Sequence, residues 1–201
     1  MLLGSIVLAG GRSRRMGRAK ESLPFRGSTL LGHTVDLLAA CTYPVVVVAR
    51  DPTQELPPLL LETELTFDPQ VDQGPLVGIQ AGLRFLGAQC DAAFVVGCDT
   101  PFLSATAVDW LAHQLGDYDA VMARIEGKLQ PLGAIYRVST LAAVDALITE
   151  GVRTPRTLAE RVRTRILDES VIDAFDPTRA FLHSVDSPEE YQRAVEASGG
   201  G

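Results

Sequence analysis

Residues 10–20 read Gly10-Gly11-Arg12-Ser13-Arg14-Arg15-Met16-Gly17-Arg18-Ala19-Lys20, three glycines among five of the chain's eighteen basic residues. Glycine lets a backbone turn tightly and approach a ligand closely. Successive backbone N–H groups beside arginine and lysine form a concavity suited to polyphosphate. The apolar run Ser5-Ile6-Val7-Leu8-Ala9 enters this loop directly. The loop therefore leaves the C-terminal end of a strand, where open α/β sheets bind ligands. A dinucleotide fingerprint does not fit, and neither does a P-loop, because Gly17 is followed by Arg18-Ala19-Lys20. The competing reading is a loop whose charges are merely solvated. Lys20 stands out as one of two lysines against sixteen arginines. Its ammonium on a flexible stem suits charge that migrates from an α-phosphate to leaving pyrophosphate, with a solvated loop lysine as the alternative.

A second constellation is Phe94-Val95-Val96-Gly97-Cys98-Asp99-Thr100-Pro101, a buried strand ending in an aspartate. Asp99 at that edge is placed to ligate magnesium, which takes oxygen ligands and commonly bridges a carboxylate to substrate phosphates; a helix or turn cap is the other reading. The third is Asp68-Pro69-Gln70-Val71-Asp72-Gln73-Gly74-Pro75. Asp68, at a strand end, is suited to receive N–H donors from a base or to support a metal site, and Asp72 to form an Asx turn. His33, His113 and His183 have no Cys or second His at ligand spacing and read as packing or surface residues. Cys98 reads as a small buried side chain rather than a nucleophile, and no G-x-S-x-G elbow is present.

The bulk numbers restrict the partners. A net charge of −7 argues against nucleic acid and acidic membranes, so a basic loop on an acidic chain suits a small anionic ligand. Three cysteines without C-x-x-C spacing fit neither a disulfide framework nor structural zinc, and point to a reducing cytoplasm. No apolar run approaches the roughly 20 residues of a membrane span. Met1 to Ala9 reads as a buried strand, not a secretion signal.

Strand-like and helix-like segments alternate to position these residues. Strands are expected at Ser5 to Leu8, Val45 to Val48, Thr66 to Asp68, Ala92 to Val96, Ala120 to Ala123, Leu132 to Tyr136 and Ala180 to Val185. Helices are expected around Leu31, Val35 and Leu38, capped by Ser28 or Thr29, and from Pro75 through Leu86. Further helices run from Ala105 to Leu115, around Leu141, Val144 and Ile148, and from Ser187-Pro188-Glu189-Glu190. This order predicts one α/β domain, 1–201, a three-layer Rossmann-like unit with a mostly parallel central sheet. Pro155 to Arg179 is the least periodic stretch and reads as a partly helical cover or lid.

Leu8-Ala9-Gly10-Gly11-x-Ser13-x-Arg15-Met16-Gly17-x-x-Lys20, Gly74-Pro75-Leu76-Val77-Gly78 and Cys98-Asp99-Thr100-Pro101 together resemble the MobA-type molybdenum cofactor guanylyltransferases. Gln130-Pro131-Leu132-x-Ala134-x-Tyr136 and Ser187-Pro188-Glu189-Glu190 extend the resemblance from about residue 3 to residue 195. It implies a nucleotide-diphospho-sugar transferase type of fold, with a nucleotide-binding half at about 1–105 and an acceptor-binding half at about 106–197. By that resemblance Leu8, Ala9, Gly10 and Asp68 are nucleotide-binding, Lys20 lies on the nucleotide's phosphates, and Asp99 both binds magnesium and lies at the nucleotide. The loop reading adds Gly11 and Arg12 to the nucleotide-binding set and Arg15 to Lys20 and Asp99 as catalytic. Two departures stand out. Val48 occupies a place where the family commonly has asparagine, and Ser184-Val185-Asp186-Ser187-Pro188 replaces the usual Asn-x-Asn-Thr-Pro. Asp186 becomes a candidate to complete the metal site.

The implied reaction is attack by the terminal phosphate of molybdopterin, metal-loaded in the physiological case, on the α-phosphorus of GTP. A phosphate oxyanion needs no catalytic histidine or serine, which suits a sequence without a triad. The implied partners are GTP, molybdopterin or molybdenum-molybdopterin and, transiently, molybdenum insertion proteins and molybdoenzymes. Three alternatives remain open: a molybdopterin cytidylyltransferase, a sugar-phosphate nucleotidyltransferase, and a GTP-binding regulator. Leu-Ala-Gly-Gly favours guanylyl transfer, since the cytidylyl enzymes more often read Leu-Ala-Ala-Gly.

Overall fold

Every residue of the apolar runs Val45–Ala49 and Ala92–Gly97 is buried, as strands covered on both faces require. The computed structural model describes residues 1–11, 18–70 and 73–199. In chain order the strands are β1 (Leu3–Leu8), β2 (Pro24–Phe25), β3 (Ser28–Thr29), β4 (Val45–Ala49), β5 (Glu64–Phe67), β6 (Ala92–Gly97), β7 (Ala120–Ile125), β8 (Lys128–Arg137) and β9 (Thr164–Leu167). The helices are α1 (Leu30–Ala39), α2 (Pro75–Leu86), α3 (Ala105–Gln114), α4 (Leu141–Thr149), α5 (Glu169–Phe175) and α6 (Pro188–Ala197). One seven-stranded sheet runs in the order β5-β4-β1-β6-β8-β7-β9. Four of its six pairings are parallel; β8 is antiparallel to both neighbours.

Alternating side chains divide the interior into two layers. Val7, Val47, Phe94 and Val96 face α1 and α3, meeting Leu31, Leu38 and Leu111. Ile6, Val46 and Val95 point the other way, to Leu76 and Leu83 of α2 and Leu147 of α4. Caps define the helix starts: Thr29 accepts from Gly32 N–H, Ser104 from Ala107 N–H, and Ser187 with Glu190 forms a capping box. No helix among the described residues is long and apolar enough to cross a membrane.

Two expectations need correction. Within 155–179, Thr164–Leu167 forms β9, parallel to β7 at the sheet edge, and α5 packs Ile172 into the core. This stretch is the partly helical cover expected, with an edge strand of the sheet that its pattern does not show. Ala180 to Val185 is not a strand: Ala180–Leu182 is a 3-10 turn that follows Arg179 in left-handed backbone (φ 53°). Asp176 accepts the N–H groups of Thr178 and Ala180, which coils the segment instead of extending it. Phe181 is still buried, edge-on to Trp110 and Phe175.

A third, smaller apolar cluster joins the chain's two ends. Leu23 and Phe25 pack with Leu30, Val185 and Ala194, and Tyr191 Oη donates to Pro24 O at 2.5 Å. This seats the segment before α6 beside the turn that carries Lys20.

Candidate active site

A cavity of about 610 Å³ opens at the C-terminal ends of β1, β4 and β6, the edge where a doubly wound sheet receives ligands. Leu8, Ala9, Gly10 and Gly11 line one side of it, with Asp68, Lys20, Asp99 and Asp186 around the rest. Arg12, Arg15 and Asp72 lie outside the described residues.

Each lining residue is placed by its element. Ala9 N–H donates to Val48 O at 2.9 Å and Cys98 N–H to Leu8 O at 3.2 Å, extending the ladders past the strand ends. A β-carbon on Gly10 would stand 3.2 Å from both Cα and N of Arg50, a tight contact that a larger residue would relieve only by shifting the β4 exit. Asp68 follows β5, its N–H on Ala49 O at 2.8 Å. Its Oδ1 accepts Gln70 N–H at 2.8 Å, so Asp68 makes an Asx turn while still lining the cavity. Val48 lines the same wall and places an apolar surface there.

Lys20 Nζ lies 2.8 Å from Asp99 Oδ2 and 2.8 Å from Asp186 Oδ1. Side-chain exposures of 12% for Lys20 and 22% for Asp99 place this pair well inside the cavity, where Coulomb attraction is little screened. Burial alone would lower the ammonium's pKa. The Asp99 charge, the hydrogen bonds to Asp186 and Asp99, and the Asp186 charge outweigh it, so the value lies above the usual lysine range.

Two residues that sequence reasoning missed support this arrangement. Glu21 is buried and lines the cavity. The Gln54 side-chain amide donates to Glu21 Oε1 at 2.6 Å and to Ala9 O at 2.8 Å, and accepts Arg50 N–H at 2.7 Å. Adjacency to Lys20 is the only sequence signal for Glu21, and Gln54 offers none. Cys98 is buried; desolvation, then the Asp99 and Glu21 charges, push its thiol pKa up, which disfavours the thiolate that a nucleophile needs. None of the three histidines lines the cavity. His33 lies edge-on to the Phe25 ring, and His113 Nδ1 meets Asp109 O at 2.8 Å.

A mostly parallel sheet with a glycine turn, a lysine and carboxylates at its C-terminal edge defines a nucleotidyltransferase. The family model of the MobA-like NTP transferase domain matches residues 5–166. The chain belongs to that family. A probable molybdenum cofactor guanylyltransferase of Mycobacterium avium is 37% identical over 192 residues, covering 92% of this chain and 95% of its own. A molybdenum cofactor guanylyltransferase of Desulfosudis oleivorans is 30% identical over 195 residues, 96% of this chain and 94% of its own. Among solved structures, molybdopterin-guanine dinucleotide biosynthesis protein A from Archaeoglobus fulgidus superposes with a TM-score of 0.78. It shares 23% identity and 98% of each chain is covered, a likeness of fold.

Proposed function

We propose that this enzyme transfers GMP from GTP to the terminal phosphate of molybdopterin, metal-loaded in the physiological reaction, and releases pyrophosphate. The observation that carries the reading is the meeting of Lys20 and Asp99 beside the Ala9-Gly10-Gly11 turn in one cavity. The names of the relatives support the guanylyl and molybdenum-cofactor parts. A phosphate oxygen of the acceptor forms a bond to the α-phosphorus. The bond from that phosphorus to the bridging oxygen breaks, and its electron pair leaves with pyrophosphate.

In this reading Leu8, Ala9, Gly10 and Gly11 seat the nucleotide, and Asp68 accepts N–H donors of guanine. Arg12 and Arg15 are assigned to the phosphates as part of the same proposal. Lys20 takes charge that builds on the departing pyrophosphate, and the cavity aligns two mutually repelling anions. The nucleophile is already ionised at neutral pH, which agrees with histidines placed away from the cavity.

Magnesium is the cation that the reading requires, held by Asp99. The donor set fits it: two carboxylates bring hard oxygen atoms to one cation position, taken up by the Lys20 ammonium at 2.8 Å from each. When bound, such an ion supplies Lewis acidity and a template for phosphates. We assign the β1–β6 side, about 1–105, to the nucleotide and the remainder, about 106–197, to the acceptor within one domain. Molybdenum insertion proteins and molybdoenzymes are the transient partners of this reading; nucleic acid and membranes have no part in it.

Pyrophosphate release tests it, measured with GTP, CTP, ATP or UTP, with and without molybdopterin. Release that requires both GTP and molybdopterin is expected. A preference for CTP overturns the guanylyl reading, and dependence on a sugar phosphate overturns the pterin reading.

A further inference from the structure

The main chain at Asp99 and at Asp186 is held by contacts that do not involve Lys20. Asp99 follows β6, and its carbonyl accepts Val185 N–H at 2.8 Å. Asp186 precedes the α6 capping box; its own N–H donates to Glu190 Oε2 at 2.7 Å, and Ser184 Oγ donates to Asp186 Oδ2 at 3.1 Å. Main chain and helix cap thereby bring the two residues to one side of the cavity, where both carboxylates meet the Lys20 ammonium. Lys20 thus brings a positive charge to two carboxylates that would otherwise repel each other. Lys20 carries its ammonium on a four-carbon stem with several rotatable bonds.

An ammonium and a divalent cation compete for the same oxygen atoms. At 2.8 Å from one oxygen of each carboxylate, the ammonium takes up oxygens that a divalent cation would need. A polyphosphate in the cavity alters the competition, because it offers the ammonium other anionic oxygens while bringing oxygens for a metal.

We propose that Lys20 is the resident counter-ion of the Asp99–Asp186 pair, excluding a free divalent cation until nucleotide phosphates draw the ammonium away. Metal and nucleotide then enter together, and the enzyme without nucleotide holds metal weakly. This inference rests on the nucleotide-and-metal part of the proposed function, not on the identity of the acceptor.

The test is Mn2+ binding in the absence of any nucleotide, followed by the electron paramagnetic resonance signal of free Mn2+. Lys20→Met is expected to bind Mn2+ about tenfold or more tightly than the parent, and Lys20→Met/Asp186→Asn to lose that gain. Equal or weaker binding by Lys20→Met overturns the proposal. A measurement on the unaltered protein guards against a variant that fails to fold. The chain has only two lysines, Lys20 and Lys128, so 15N-labelled lysine gives two ammonium signals. Mg2+ alone should leave the Lys20 signal in place, and Mg2+ with GTP should move it; displacement by Mg2+ alone overturns the proposal. Neither measurement needs molybdopterin or turnover, so a wrong acceptor leaves both results interpretable.

Discussion

The backbone N–H of Val185 donates to the backbone carbonyl of Asp99 at 2.8 Å, joining the approach to α6 to the end of β6 by main chain alone. Side-chain chemistry at Asp99 is thereby separated from the fold. Asp99→Asn keeps the main-chain bond while removing the charge that faces Lys20. We expect thermal unfolding close to the parent's and pyrophosphate release with GTP lower by on the order of 10²–10³. Near-normal turnover in this variant would remove Asp99 from the proposed machinery.

Lys20→Ala should cost turnover on the same order, since it removes the group assigned to the leaving pyrophosphate. Its structural consequence differs. Asp99 and Asp186 lose the ammonium that both of them meet. Added Mg2+ should therefore raise the melting temperature of Lys20→Ala more than that of the parent, a comparison that thermal denaturation provides directly.

Gln54 joins three segments through one side-chain amide, so its removal should be felt in stability before chemistry. Gln54→Leu deprives the buried Glu21 carboxylate and the Ala9 carbonyl of a donor each. A cost of about 1–3 kcal/mol is expected in urea denaturation, the usual penalty for leaving a buried polar group short of a partner. Unchanged stability would mean that the amide is an accessory to an arrangement maintained elsewhere.

The central strands are legible in the sequence because β4 and β6 are covered on both faces and read as unbroken apolar runs. Helix starts are legible where a cap is written beside an apolar period, as at Thr29 and Ser187. Edge structure is harder to read. Thr164–Leu167 has four residues, only one of them fully buried, and carries an arginine, so nothing in its pattern distinguishes it from loop. Phe181 and Val185 are apolar enough to suggest a strand, yet they are buried from a turn, because Arg179 and the Asp176 carboxylate bend the chain. At the site, single residues are readable but their meeting is not. Lys20 and Asp186 stand 166 residues apart and touch because a small apolar cluster and the Val185–Asp99 main-chain bond bring their segments together.

Acid should loosen the same late segment. Arg179 donates to Asp173 Oδ1 at 2.5 Å and Oδ2 at 2.7 Å, and to Glu169. Glu169 is held below the usual carboxylate range first by the Glu126 N–H and then by Arg179; Asp173 is lowered by its bond to Arg179. Groups with depressed folded-state pKa values contribute stability above their unfolded values, 4.5 and 3.8, and lose it as pH falls further through the folded values. Stability followed by urea titration should thus be insensitive to these groups near neutral pH and decline below about pH 4. Arg179→Met should flatten that decline. An unchanged acid limb in the variant would show that the ion pairs are too solvated to matter.

Gly82 lets α2 rest on β1, and a methyl group there should be harmful for one identifiable reason. A β-carbon at Gly82 would stand 2.6–2.7 Å from three side-chain atoms of Ile6, which is fully buried. Neither the helix nor the central strand can retreat without disturbing the packing on both sides. Gly82→Ala is therefore expected to cost about 1–3 kcal/mol in the parent. In an Ile6→Ala background the obstruction is gone, and the intrinsic preference of a helix for alanine over glycine, about 0.8–1 kcal/mol, is left to act. The substitution should then change sign and stabilise. A double-mutant cycle by urea denaturation reads this directly: a coupling near zero would show that the helix sits farther from β1 than the close approach of Gly82 and Ile6 requires.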